Sequence, residues 1–287
     1  ETIDSVDICT PNYLHSIIAV AAFEAGKHVF CEKPDAVSVE EAVRMNEAAK
    51  KAGKTLMIMR NNRFVDASRY AKKYIEKGSM GEIYCGRCGW QRRRGIPGRG
   101  GWFTTKEQSG GGVLIDWGVH YLDLILYILG GAELKTVSAN TYSEMAKDMK
   151  AYKYAGMWAE ETKNLETGVN DVDDFVTGFI RTNKASISFN GAWAQNIAKR
   201  DTFIDFLGDK GGVRLDYCGH FSIFRDDLTE ERPEFDIPDM YYREDADFLD
   251  ACETGRRNRS HISEILESAK LLDAIYQSAE EKHEINF

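Results

Sequence analysis

Two short stretches of this sequence hold side chains that can move protons. The first is Cys31-Glu32-Lys33-Pro34. A lysine held beside a substrate hydroxyl can stabilise a developing alkoxide, and burial would lower its pKa towards that use. Pro34 biases the backbone of Lys33 towards an extended conformation. The second runs from Gly112 to Asp123 and holds Asp116, His120 and Asp123 in an otherwise apolar segment. Spacings of four and three place them on one stripe of a helix, a polar seam in a buried surface. Buried polar groups are paired or functional. A histidine there can take a hydroxyl proton near neutral pH, and a carboxylate one turn away can orient it. Blander readings stand beside these. Glu-Lys-Pro also suits a solvated turn, and a histidine in a core is commonly hydrogen-bonded for structure. The same three side chains suit a divalent ion, but one helix face rarely supplies a full ligand set. No metal is expected.

Residues 90–103 interleave arginines with aromatics: Trp90-Gln91-Arg92-Arg93-Arg94-Gly95-Ile96-Pro97-Gly98-Arg99-Gly100-Gly101-Trp102-Phe103. Such a loop can stack sugars or bind carboxylates and phosphates. It is read as a lid, with Arg94 and Trp102 as substrate contacts; a merely solvated loop is the alternative.

The elements that must position these groups follow from periodicity. Val6–Cys9, His28–Cys31 and Thr55–Met59 are short apolar runs. Between them lie helical patterns from Tyr13 to Ala25, closed by Gly26, and from a Ser38–Glu41 capping box to Ala52, closed by Gly53. Strand alternating with helix predicts a parallel sheet whose ligand crevice lies beyond the carboxyl ends of the strands. Thr10–Asn12, Glu32–Pro34 and Arg60–Arg63 occupy that edge. A helix over Ser68–Lys77, a strand over Glu82–Arg92 and an apolar helix over Val113–Leu129 come next. Strands are expected at 134–142, 172–181, 184–193, 202–208, 212–217 and 220–225, joined by short turns that favour antiparallel pairing. Helices at 240–253 and 262–280 close the chain. The fold class expected is α/β plus α+β: the C-terminal part of a Rossmann-type parallel-sheet domain (1–62), then a domain with a large, mostly antiparallel open sheet (63–287).

A dinucleotide-binding fold opens with strand, G-x-G-x-x-G and helix. Neither Gly98-x-Gly100 nor Gly110–Gly112 completes that fingerprint. The expectation is that the leading βαβ units lie outside this sequence.

Composition narrows the class. With 43 % apolar and 29 % charged residues, the 287-residue chain suits a globular protein of two domains. The apolar runs look too short and too interrupted by charge to cross a membrane, and Glu1–Asp7 does not resemble a signal peptide; a cytoplasmic protein is expected. A net charge of −9 opposes nucleic acid as a partner. Six dispersed cysteines, Cys85-x-x-Cys88 included, read as reduced core residues, because no second ligand pair accompanies them.

Thr10-Pro11-Asn12-x-x-His15, Glu32-Lys33-Pro34 and Gly111-Gly112-x-x-x-Asp116-x-Gly118-x-His120-x-x-Asp123 occur in an order that resembles the glucose–fructose oxidoreductase and inositol dehydrogenase family, Gfo/Idh/MocA. The resemblance implies a Rossmann domain binding NAD or NADP and an open-sheet substrate domain. It implies that Lys33 sits in the active site, with Asp116 and His120 as orienter and proton-transfer residue. Thr10, Pro11, Asn12, His15, Glu32, Lys33, Pro34 and Arg63 are the cofactor contacts expected. Lys33, Arg94, Trp102, Asp116 and His120 are the substrate contacts. The reaction implied is hydride transfer between nicotinamide and a sugar, inositol or related polyol, in a homo-dimer or homo-tetramer. Two other readings stay open: a relative that uses NAD transiently for bond cleavage or isomerisation, and a non-catalytic sugar-binding regulator.

Overall fold

The first third of the chain folds as the periodicity predicts. The computed structural model describes residues 3–145, 147–149, 152, 166–216, 219–235 and 239–287. Strands β1 (Ser5–Ile8), β2 (His28–Cys31) and β3 (Leu56–Ile58) form a parallel sheet in the order β1-β2-β3. Helices α1 (His15–Glu24) and α2 (Val39–Ala52) make the crossovers. The Ser38 hydroxyl accepts the Glu41 N–H at the start of α2, and Gly53 ends it in the left-handed conformation. Ile8, Val29, Cys31 and Ile58 face one core with Phe23 and Met45, while Phe30 and Met57 face the other side.

After α3 (Asp66–Glu76) comes β4 (Ile83–Gln91), and then a short helix α4 (Lys106–Ser109) and α5 (Val119–Leu129). The strands β5 (Leu134–Tyr142), β6 (Phe175–Thr182), β7 (Ser186–Ala192), β8 (Asp201–Gly208), β9 (Gly211–Leu215), β10 (Phe221–Arg225) and β11 (Glu230–Glu231) follow. The chain closes with α6 (Met240–Thr254), α7 (Ile262–Glu281) and β12 (Ile285–Asn286). Among the described residues the second sheet has nine strands in the order β11-β10-β9-β8-β4-β7-β6-β5-β12. Its pairs are antiparallel except β4 with β7. Tyr217, the last residue of the strand expected at 212–217, and Cys218 lie outside the described residues.

The sheet fixes α5 through aromatic packing. Trp90 of β4 is fully buried and lies 5.2 Å from the ring of Tyr121. A side chain at Gly191, on the neighbouring strand β7, would meet that indole at 1.9 Å, so the strand must carry glycine there. The stretch Lys106–Leu129 does reach the length and apolar composition of a membrane span, contrary to the reading of the runs as too short. Of its most apolar window, 78 % is buried inside the protein, so its hydrophobicity serves the core.

The last two helices return to the parallel sheet. Phe248 of α6 stacks on Phe30 at 5.0 Å, and Ile262 and Ile265 of α7 join the core of β1–β3. Further along the same helix, Leu271, Leu272 and Ile275 pack in the core of the large sheet. Residues far beyond position 63 thus complete the cover of the β1–β3 sheet.

Candidate active site

The carboxyl ends of β1, β2 and β3 open towards the helix that begins at Gly112, and the site is built across that gap. Its entry turn is fixed by a carboxylate from elsewhere in the chain. Asp173 accepts the N–H groups of Gly112 (2.8 Å) and Leu114 (2.9 Å) and the Tyr276 hydroxyl (2.7 Å), and its own carbonyl accepts the Val113 N–H. This is an N-terminal cap supplied from a distance, satisfying donors that no earlier turn can reach. A Cβ at Gly112 would lie 1.9 Å from the Asp173 carbonyl oxygen, a backbone atom that cannot swing away. Gly112→Ala should therefore lower stability by about 1–3 kcal/mol, the ordinary cost of overpacking. A thermal melt checks this, and an unchanged midpoint would mean that the turn has room.

The helix does not begin as an α-helix. Leu114–Gly118 is a π turn, in which the Val119 N–H reaches the Leu114 carbonyl. Such turns recur at functional sites. Asp116 lies in it, 6 % exposed, with both carboxylate oxygens engaged. Oδ1 accepts from Lys33 Nζ at 2.8 Å and Oδ2 from the Trp193 indole N–H at 2.9 Å. Lys33 Nζ also donates to the Asp116 carbonyl at 3.1 Å. Asp116 thus orients Lys33. The expectation that it orients His120 is corrected, because its oxygens go to Lys33 and Trp193 and the His120 Nδ1 has no hydrogen-bond partner among the described residues.

His120 stands one turn on. Its Nδ1 is buried and has no hydrogen-bond partner among the described residues. Burial, reinforced by the charges of Lys33 and Arg60, holds its pKa well below the usual histidine value. It is a neutral imidazole at neutral pH. Asp123, the third member of the stripe, is closed off by the Arg63 guanidinium at 2.7 and 2.8 Å and the Ser268 hydroxyl at 3.1 Å.

Lys33, Asp116 and His120 share the wall of a cleft of about 320 Å³ with Glu32, Met59, Asn61, Arg92, Trp117, Tyr241 and Glu244. A second cleft of about 290 Å³ shares Glu32, Lys33 and Asp116 with it and adds Thr10, Asn12, Pro34, Trp102 and Phe103. The Lys33–Pro34 peptide between the two is cis.

Several expected contacts go elsewhere. Arg63 is 2 % exposed, gives four of its five donors to Asp123, Glu264 and the Arg259 carbonyl, and is not among the lining residues of either cleft. His15 is fully buried, its ring nitrogens 2.8 and 2.9 Å from the carbonyls of Pro34 and Thr10; it ties the two loops together rather than lining a cleft. Pro11 leads into a single turn of 3-10 helix at Asn12–Leu14 and is not among the cleft's lining residues. Arg94 turns away to the Gln195 carbonyl and Asn196. The arginine of that loop that reaches the cleft is Arg92, 4.1 Å over the Trp117 ring. Trp102, expected as a substrate contact, lines the second cleft and is not among the residues lining the one that holds His120. Trp193, Glu244 and Tyr241 were not anticipated: each lies more than seventy residues along the chain from the motif it joins, with no local pattern of its own.

Residues 1–59 match the family model described as an oxidoreductase family with NAD-binding Rossmann fold. Residues 68–214 match that of the GFO/IDH/MocA C-terminal domain, which covers half of the chain. The chain belongs to the GFO/IDH/MocA family. Among curated members, D-glucoside 3-dehydrogenase of Escherichia coli strain K12 is 35 % identical over 213 residues, 74 % of this chain and 58 % of that enzyme. The 2,7-anhydro-N-acetylneuraminate hydratase of the same organism is 40 % identical over 131 residues, 45 % of this chain and 34 % of the relative. The chain spans less than two thirds of each. Among solved structures of the fold, levoglucosan dehydrogenase in complex with NADH and levoglucosan superposes with a TM-score of 0.83 at 27 % identity. That match covers 99 % of this chain and 80 % of the other. The parallel sheet followed by a large, mostly antiparallel one is the architecture expected from the sequence, and the family is the one its motifs resemble.

Proposed function

We propose that this GFO/IDH/MocA chain carries the chemistry of an NAD- or NADP-dependent oxidoreductase acting on a CH–OH group of a sugar, inositol or related polyol. One observation carries the reading: a lysine and a neutral histidine share one cleft. The second cleft suits the nicotinamide end of the cofactor. Pro34, Trp102 and Phe103 give it apolar wall, and Asn12 and Glu32 give it polar edge. Thr10 brings a buried hydroxyl that has no hydrogen-bond partner among the described residues. Thr10, Asn12, Glu32, Lys33 and Pro34 would hold that end. When bound, a nicotinamide supplies the acceptor or donor of a hydride.

The chain's own residues do the rest. A lysine ammonium has three donors; Asp116 takes two through Oδ1 and its carbonyl, leaving one for a substrate oxygen. Neutral His120 accepts the proton of the substrate hydroxyl, and the Lys33 charge stabilises the alkoxide that develops as it leaves. The Trp193 bond fixes Asp116, so Lys33 is pre-positioned before substrate arrives. Relatives with sugar-derived names support the substrate class. A hydratase relative keeps transient use of the cofactor as a second reading.

Titration with NADH and NADPH, followed by nicotinamide fluorescence and then a panel of sugars and polyols, tests the proposal. Saturable binding with net cofactor reduction is expected. Product formed without net reduction would favour the second reading, and no binding of either nucleotide once the leading βαβ units are supplied would count against both. Cytoplasmic residence belongs to the same reading, supported by the free thiols of all described cysteines. So does self-association as a homo-dimer or homo-tetramer through the open sheet, which exposes Tyr84, Phe179 and Phe224 on β4, β6 and β10.

A further inference from the structure

The catalytic reading leaves one buried acid in the cleft wall without a task. Glu244, on α6, is 1 % exposed. Its Oε1 accepts the backbone N–H of Arg60, while Oε2 has no partner among the described residues, and the side chain lines the same cleft as Lys33 and His120. The backbone donor marks Oε1 as the unprotonated oxygen of a neutral carboxyl, so any proton resides on Oε2.

We propose that Glu244 selects a cyclic acetal as substrate, its Oε2 donating a hydrogen bond to the ring or glycosidic oxygen of a bound sugar. The proposal rests on the sugar-oxidoreductase reading and deepens it. An acetal oxygen only accepts hydrogen bonds, so only the neutral acid can serve it. A hydroxyl both gives and accepts and would be served equally by a carboxylate.

The surroundings keep the acid neutral. Burial pushes the Glu244 carboxyl up to about 8; the Arg60 N–H and charge oppose this, and the carboxylates of Glu32 and Asp245 add to it. The other titratable and charged groups lining the same cleft are Lys33, Arg92, Asp116 and His120, with Tyr241 from its own helix. Asn61 donates to the Tyr241 hydroxyl at 3.4 Å, so this wall of the cleft is already tied to the β3 edge.

The test compares calorimetric binding of methyl β-glucopyranoside, an acetal, with glucitol, an open-chain polyol, at pH 6.5 and 9, with and without NADH. For the unaltered chain, glucoside affinity should fall about tenfold as pH rises through the ionisation of Glu244, the worth of one buried hydrogen bond; glucitol affinity should not change. Glu244→Gln keeps an acceptor for Arg60 and a donor for the acetal, so it should bind the glucoside with no pH dependence in this range. Glu244→Leu should bind it about tenfold more weakly at pH 6.5. A merely structural Glu244 would not make the pH slope specific to the acetal. Undiminished binding by Glu244→Leu, or a pH slope retained in Glu244→Gln, overturns the proposal alone. Failure of the unaltered chain to bind either compound overturns the sugar reading and this inference with it.

Discussion

Asp123→Ala should destabilise the protein by about 3–5 kcal/mol, the cost of leaving one partner of a buried ion pair uncompensated. The stranded group would be the Arg63 guanidinium, 2 % exposed, whose two closest contacts are both Asp123 oxygens. Arg60 also lies 3.8 Å from that carboxylate, so the substitution leaves two buried cations facing a gap. The pH dependence has a definite sign. Burial raises the Asp123 pKa, but Arg63, Arg60 and Ser268 lower it by more, so its folded value lies below the usual carboxylate range. A lowered folded pKa gives stability that is present above about pH 4 and lost as pH falls through the folded value. Urea unfolding at pH 7 and pH 3 measures both. The double variant Arg63→Met with Asp123→Leu removes the pair and should recover much of the loss. A single variant as stable as the parent would show that water or Glu264 compensates Arg63.

His120→Ala should reduce turnover by about 10²–10⁴-fold, the usual worth of a positioned general base, while nicotinamide binding changes little. Lys33→Ala should fall as far, because it removes the donor to the substrate oxygen and strands Asp116, which keeps only its Trp193 bond. The pH profile separates the two. With the His120 pKa held well below its ordinary value, its base form is present at neutral pH and persists below the pH at which a free histidine protonates. The acidic limb of kcat/KM should therefore lie below about 6.5, the unperturbed histidine value. A limb at or above that value would mean that His120 is not the proton acceptor. Steady-state kinetics of the cofactor-loaded enzyme with its best sugar substrate provides both measurements.

How much of this was legible in the residue order depends on the range of the interactions. The motif loops were visible because a parallel sheet puts the ends of β1, β2 and β3 on one edge wherever strand and helix alternate. The antiparallel strands were visible because the covered face imposes alternation and short turns mark the ends; β5 runs Leu134–Tyr142 as its pattern indicates. The charges were harder to read. Asp116 and Asp123 look alike on a helix stripe, yet one belongs to Lys33 and the other to Arg63, and pattern alone does not choose between distant cations. Arg94 and Arg92 are equally arginine; strand register decides which faces the cleft. Glu244 sits in a polar helix whose amphipathy is weak, and its burial comes from docking against Arg60, nearly two hundred residues away.

The π turn at Leu114–Gly118 has one more consequence. It holds one residue more than α-helical bonding needs. A relative lacking one residue there could close the same span as plain α-helix, with the turns on either side kept nearly in phase. The spacing from Asp116 to His120 would then be three in place of four, and both spacings share one helix face. This segment is therefore where the chain can absorb a change of one residue in length without parting the lysine's partner from the histidine.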